Sequence, residues 1–214
     1  AELELLQSNI NPHFLYNTLD SLYWMAIIHE ADDIAELTKA MSDIFKIALS
    51  KGDKFIPVSQ ELDFVKSYLY IQNIRFNGKI KYYIQTDEEL RNYRIIKLLL
   101  QPFVENAFYH AFSETTSGLI HIFFRKKEDD LVIEVVDNGS GMKLDDAQKN
   151  RKESFTGIGI HNVDDRIHLI YGQEYGVSIQ SNLGSGTRIT ITIPAIPYQL
   201  PETDTKNTAD APKE

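Results

Sequence analysis

The chain has 214 residues, no cysteine, 43% hydrophobic and 25% charged residues, and a formal net charge of −9. The lack of Cys excludes a disulfide scaffold, a Cys-based zinc site and a thiol nucleophile, and the negative charge argues against nonspecific nucleic-acid or anionic-membrane binding. No apolar run reaches the roughly 20 residues of a membrane span, no signal peptide is visible, and the start at Ala1, in mid-pattern and without Met, reads as a cut from something longer.

The first 77 residues carry helical periodicity. Leu15, Leu19, Leu22 and Ala26 step by three or four, as do Ile34, Leu37, Met41, Ile44 and Ala48, and then Val58, Leu62, Val65, Leu69, Gln72 and Phe76. Such heptad-like seams predict helices packed in a bundle. Breaks fall at His29–Asp33 and Ser50–Pro57, with Pro57 placed to open the third helix. Narrow seams give an isolated unit of this size little core, which predicts a dimeric bundle.

The pattern changes after Asn77-Gly78. Lys79–Gln85 reads as a strand and Tyr93–Ala111 as a long helix. Leu119–Arg125 and Leu131–Val136 read as strands joined by a charged turn. Ile158–Tyr171 reads as a helix ended by Gly172, and Val177–Ser181 and Arg188–Ile193 as the last two strands. The fold class is therefore α+β: a helical bundle, then a mostly antiparallel sheet covered by helices. After Pro194 the composition turns polar and aperiodic, and residues 199–214 are expected to be a disordered tail.

Four short motifs in the second half carry chemistry. Glu105-Asn106-Ala107-Phe108-Tyr109-His110 lies in the long helix, with Asn106 and His110 on one face at i, i+4. An Asn carbonyl suits a hard cation such as Mg²⁺, and Glu105 can polarise a hydroxyl, an imidazole or a water; an ordinary polar helix face reads the same way. Asp137-Asn138-Gly139-Ser140-Gly141 follows a strand, so a carboxylate stands at a strand end beside glycines that admit close backbone approach. That carboxylate can accept from an exocyclic amine such as that of adenine; a plain Gly-rich turn is the alternative. Gly157-Ile158-Gly159 opens a helix, where free N–H groups favour phosphate. The polar stretch Met142–Thr156 between the two glycine motifs has the length of a lid. Gly184-Ser185-Gly186-Thr187 precedes the last strand, either as a hairpin turn or with Thr187 lining a nucleotide pocket. There is no Walker A loop, and the context does not suit a Rossmann fingerprint.

Together these motifs resemble the N, G1, G2 and last boxes of the GHKL module, the Bergerat fold of histidine kinases, type II topoisomerases, Hsp90 and mismatch-repair ATPases. The N-terminal stretch Asn9-Ile10-Asn11-Pro12-His13-Phe14-Leu15-Tyr16-Asn17-Thr18-Leu19 is similar to the phosphoacceptor box of LytS/YesM-type sensor histidine kinases. The segment Leu62–Phe76 looks like the helix that precedes the ATP module there. The division that follows is 1–77 for dimerisation and the phosphoacceptor, 78–198 for ATP binding, and 199–214 for the tail.

The resemblance implies ATP and Mg²⁺ as cofactors, autophosphorylation of His13, and transfer of the phosphoryl group to an Asp of a response regulator receiver domain. Asn106 is expected to hold Mg²⁺ and Asp137 the adenine amine. The remaining nucleotide contacts are expected from His110, Gly139, Gly141, Gly157, Gly159, Gly186 and Thr187. Taking 100° per residue, His13 lies opposite the Leu15/Leu19/Leu22 seam and faces out, sharing its face with Asn17, Asp20 and Trp24. Phe14 stands where many histidine kinases place an acid, so the proton acceptor is Glu105 or Asp20, with Glu105 favoured, while Asn17 can orient the ring or a hydrolytic water. Arg75 and Arg166 can meet phosphate or form ion pairs. The resemblance also implies a homodimer and no nucleic-acid partner. It implies a plasma-membrane parent, reached through upstream segments, of which this chain is the cytoplasmic part. Two rivals are weighed: a GHKL ATPase in which Glu105 activates water, and a dimeric nucleotide-binding module without phosphotransfer. The His13 box argues against the first and the intact glycine boxes against the second.

Overall fold

A computed structural model describes residues 12–50, 54–108, 112, 117–141 and 155–199. Helix α1 (Pro12–Ile28) opens on a proline, which has no N–H to leave unpaired in a first turn. Helix α2 (Asp32–Leu49) begins with Asp32 and Asp33, whose charges suit a helix N-terminus. The two fold back on each other as a hairpin, and the Tyr16 hydroxyl donates to the Phe45 carbonyl at 3.3 Å. Buried Leu19 and Ala26 on α1 and Ala35, Thr38, Ala40 and Ser42 on α2 let the backbones come close. Much of the apolar stripe stays outside this contact, with Phe14, Leu22, Trp24, Ile28, Ile34 and Met41 exposed.

Helix α3 (Val58–Arg75) buries its whole seam, Val58, Leu62, Val65, Leu69 and Gln72. It does so against the sheet: these apolar residues belong to one continuous core with Ile80, Ile120, Ile133 and Ile191. Each such aliphatic side chain removed from water contributes roughly 1.5–3 kcal/mol. The helix ends where Asn77 and Gly78 take positive φ, 52° and 71°, a left-handed cap.

The expected long helix Tyr93–Ala111 is not formed over its first half. Phe55–Pro57 is strand β1, and Arg94–Ile96 is a strand paired antiparallel with it, Ile56 opposite Ile95. Residues 97–100 then turn, with Leu98 at φ 56°, and the helix runs only from Gln101 to Asn106, passing into a wider turn at 107–108. Pro102 explains the break. It has no N–H for an interior helical bond and disfavours helical geometry in the residue before it, so it belongs in the first turn. Apolar residues at helical spacing hid two short strands whose β-branched Ile95 and Ile96 are buried in the core.

Numbered in chain order, β2 is Ile80–Gln85, β3 Arg94–Ile96, β4 Gly118–Lys127, β5 Asp130–Asp137, β6 Gly176–Ser181 and β7 Thr187–Pro194, while α4 is Gln101–Asn106 and α5 Phe155–Tyr171. The main sheet has the order β2-β4-β5-β7-β6. Only β2 and β4 run parallel, and the other neighbours are antiparallel. Alternate residues such as Ile120, Ile122, Leu131, Ile133, Ile189 and Ile191 face the core under the helices. The α+β class and the strand positions agree with the alternation read from sequence. Beyond Pro194 the chain does not leave the fold at once. Tyr93 bridges Pro197, and the Tyr198 N–H donates to the Asn92 carbonyl at 2.8 Å. Residues 200–214 lie outside the described part.

Candidate nucleotide site and phosphoacceptor helix

Two of the four boxes meet through the sheet. Asp137 ends β5 and pairs with Thr187 at the start of β7. Its side chain is only 9% exposed, and its Oδ1 accepts the Gly139 N–H at 2.9 Å. Burial raises the Asp137 carboxyl above the usual range, and N–H donation from Gly139 and Thr187 opposes that shift. Asn138 locks the turn to β4: its Oδ1 accepts from Leu119 N–H at 2.7 Å, and its own N–H donates to the Leu119 carbonyl at 3.2 Å. Gly141 and Gly186 hold positive φ, 63° and 79°. A Cβ on Gly141 would land on the Asn182 carbonyl, and one on Gly186 on the Asp137 carbonyl. Only glycine permits both the dihedral and the backbone approach that join this turn to the β6–β7 hairpin.

The other two boxes meet through helices. A Cβ on Gly159 would sit 3.6 Å from Pro102, in ordinary contact, so the second turn of α5 lies against the first turn of α4. The helix expected from Ile158 begins at Phe155, so Gly157 as well as Gly159 lies inside its first turns. The first N–H groups of a helix have no partner within it, which suits this end to an anion. On α4, Glu105 Oε1 accepts from Gln101 Nε2 at 2.8 Å. The Asn106 amide nitrogen is buried with no hydrogen-bond partner among the described residues. Such orphaned polar atoms are uncommon, and this one asks for a partner beyond the described residues. His110 and most of the expected lid, 142–154, lie outside the described residues.

His13 stands exposed on the first turn of α1, on a separate element from the boxes, as the 100° argument expected. The Asn17 amide lies 3.3 Å from His13 Nδ1, one turn further along. Asp20 is exposed on the same helix. Arg75 donates to Gln72 Oε1 at 3.1 Å. Arg166 is half-buried, and the Glu61 charge acts on it against the effect of burial.

Sequence reading passed over Ser181 and Glu61 here, and the direct tie between Ser140 and Gly184. The Ser181 hydroxyl donates to the Gly186 carbonyl at 2.9 Å and lies 3.0 Å from Thr187 Oγ1, so Thr187 is held from β6. The Gly184 N–H donates to the Ser140 carbonyl at 2.6 Å, tying two boxes directly. Glu61 on α3 is fully buried, and its two oxygens accept the N–H groups of Leu98 and Leu100 at 2.9 and 2.8 Å. Its only trace in sequence is a carboxylate beside the buried Leu62.

This arrangement, a mixed sheet under helices with glycine turns at one end, defines the class: a GHKL-type ATPase module behind a helical hairpin that carries a histidine. Comparison with known proteins agrees. Residues 1–80 match the histidine kinase family, and residues 92–197 match the histidine kinase-, DNA gyrase B- and HSP90-like ATPase family. The sensor histidine kinase YesM of Bacillus subtilis is 37% identical over 195 residues, 91% of this chain and 33% of that protein. The sensor histidine kinase BtsS of Escherichia coli K12 is 30% identical over 196 residues, again 91% and 33%. LytS of Bacillus cereus is 31% identical over 203 residues, 91% and 34%. Among solved structures, the histidine kinase domain of the Erythrobacter litoralis blue-light activated kinase EL346 superposes with a TM-score of 0.52 at 19% identity, covering 86% of this chain and 96% of that one. The catalytic domain of histidine kinase ThkA gives 0.53 at 17% identity, covering 67% and 97%. The chain belongs to the sensor histidine kinase family. It spans about a third of the length of the named relatives it matches.

Proposed function

We propose that the chain is the kinase part of a two-component sensor: it binds ATP with Mg²⁺, phosphorylates its own His13, and passes the phosphoryl group to an Asp of a response regulator receiver domain. The observation that carries this reading is the pairing of an exposed histidine, steadied by Asn17, with a glycine-locked Asp137 turn and the unpartnered Asn106 amide. No cluster of three or more His, Asp and Glu side chains stands ready for a metal among the described residues. That suits Mg²⁺, which is held by one or two protein oxygens together with substrate phosphates. Asn106 is the oxygen donor we assign, and the ion would neutralise charge on the transferring phosphoryl group.

The reaction asks the protein for position and a path for one proton. The Asn17 Nδ2 lies 3.3 Å from His13 Nδ1 and donates to it, which puts the ring's own N–H at Nε2. Nε2 attacks the γ-phosphorus as its proton passes to a carboxylate, and the bond to ADP breaks, so the ring ends neutral. We assign that role to Glu105, already oriented by Gln101. Asp137 would read adenine through its exocyclic amine. The N–H groups that open α5, with Gly139, Gly141, Gly157, Gly159, Gly186 and Thr187 around them, would hold the phosphates and the pocket wall. His110 is assigned to phosphate.

In this reading residues 1–77 act as phosphoacceptor and dimer arm and 78–198 as the ATP unit. The exposed stripe of α1 and α2 pairs with a second copy. No helix among the described residues is long and apolar enough to cross a membrane. By kinship with proteins named as sensors, we place the plasma-membrane anchor and the sensing region in further segments of the parent.

The test is incubation with Mg²⁺ and γ-labelled ATP beside His13→Ala and Asn106→Ala. Label that resists base, is lost in acid and appears on the wild type alone is the expected result. Label that persists in His13→Ala overturns the acceptor. Free phosphate release without protein label would instead mark an ATPase.

A further inference from the structure

We infer that Glu61 is a positioning residue for the nucleotide site: from α3 its carboxylate fixes the turn 98–100 that aims α4, and with it Glu105 and Asn106, against α5. The inference rests on the kinase reading above but has its own observations. Glu61 is fully buried, an unusual place for a carboxylate without cause. Its oxygens are divided between two amides, Oε2 taking Leu98 N–H at 2.9 Å and Oε1 taking Leu100 N–H at 2.8 Å. Leu98 holds φ 56°, a conformation that a leucine does not adopt unaided and that persists only where its surroundings over-determine it. Leu100 is the residue that caps α4. Arg166 of α5 acts on the same carboxylate through its charge, which favours the ionised form.

One side chain thus touches the entry to α4 and senses the charge on α5, the two helices that carry the N and G2 boxes. It does so from the helix on which α2 rests, and there the Tyr70 hydroxyl donates to Glu36 Oε2 at 2.9 Å. Among the described residues neither amide has another acceptor, so an apolar residue at position 61 would bury two unpaired N–H groups. Gln fills the same volume but presents an NH₂ to one of the amides, so it opens half of the clamp.

The experiment uses the whole 214-residue chain as wild type, Glu61→Gln, and Glu61→Gln combined with Leu98→Gly. ATP·Mg²⁺ binding is read by calorimetry, His13 labelling is read against ATP concentration, and amide exchange is read at Leu98 and Leu100. For Glu61→Gln we expect a cooperative melt, faster exchange at both amides, and about tenfold more ATP needed for half-maximal labelling, the scale of a small displacement outside the reacting groups. Leu98→Gly should restore part of the affinity, since glycine takes this φ without a clamp. Should Glu61→Gln not fold, Glu61→Asp carries the same test, because it keeps the charge and withdraws both oxygens by one methylene. Unchanged ATP dependence and unchanged exchange in a folded variant overturn the proposal. A wild type that binds ATP without labelling, with that binding weakened by Glu61→Gln, overturns the kinase reading and leaves the clamp standing.

Discussion

At Asn106 the amide nitrogen is buried and without a partner among the described residues, although native interiors pair nearly all such atoms. A group left this way costs stability and is retained where something else needs it. Asn106→Ala should therefore leave the melting temperature unchanged or slightly higher while weakening Mg²⁺·ATP binding by about 2–3 kcal/mol, the scale of lost hydrogen bonds to charged groups; calorimetry beside a thermal melt checks both. An equal loss of stability and binding would mean that the amide is structural. Gly186 gives the opposite pattern. Its φ of 79° and its approach to the Asp137 carbonyl leave no room for a methyl group. Gly186→Ala should destabilise the fold by about 1–3 kcal/mol, seen as a lower urea midpoint, and displace Asp137 as well.

At the level of elements, the junction of α3, the 98–100 turn and α5 is set by electrostatics inside the core. Burial pushes the Glu61 carboxyl up to about 7 from an ordinary 4.5, against the pull of the Leu98 and Leu100 amides and Arg166. Between those two values the folded chain keeps a proton that the unfolded chain has released. Stability from this group is therefore full below pH 4.5 and is lost as pH rises through 7, by about 3 kcal/mol in all. Denaturant midpoints should fall across pH 5 to 8 in the wild type, and Glu61→Gln should remove most of that slope. A slope that survives in Glu61→Gln would assign it to other groups.

For the whole molecule, most of the exposed large apolar side chains among the described residues lie on the α1–α2 hairpin. Phe14 is 70% exposed, Trp24 62% and Ile28 74%. Contiguous apolar surface of this kind marks an interaction site rather than ordinary scatter. In the reading proposed here it faces a second copy, completing a bundle from two hairpins. Trp24→Asp with Ile28→Asp should shift sedimentation from dimer to a species of half the mass, while the nucleotide unit keeps its ATP affinity. A wild type that sediments as a monomer at micromolar concentration would remove the dimer from the reading.

The sequence by itself determined much of this. Alternation is a local property, so strands such as Leu131–Val136 and Arg188–Ile193 were legible from the period of their side chains. Helical period marked α1, and the glycine boxes announced close backbone contact before any partner was known. What the sequence could not decide was set by contacts far apart in the chain. Pro102 limits where the helix can begin, but the strand Arg94–Ile96 exists because Phe55–Pro57 pairs with it, and nothing in residues 93–96 names that partner. The seam of α3 was visible, but only tertiary structure decided that it packs into the core of the sheet. Glu61 and Ser181 act through backbone groups 39 and 5 positions away, at Leu100 and Gly186. A main-chain N–H or carbonyl has no letter of its own in a sequence. Residues that work by binding it become visible only when the fold brings the two together.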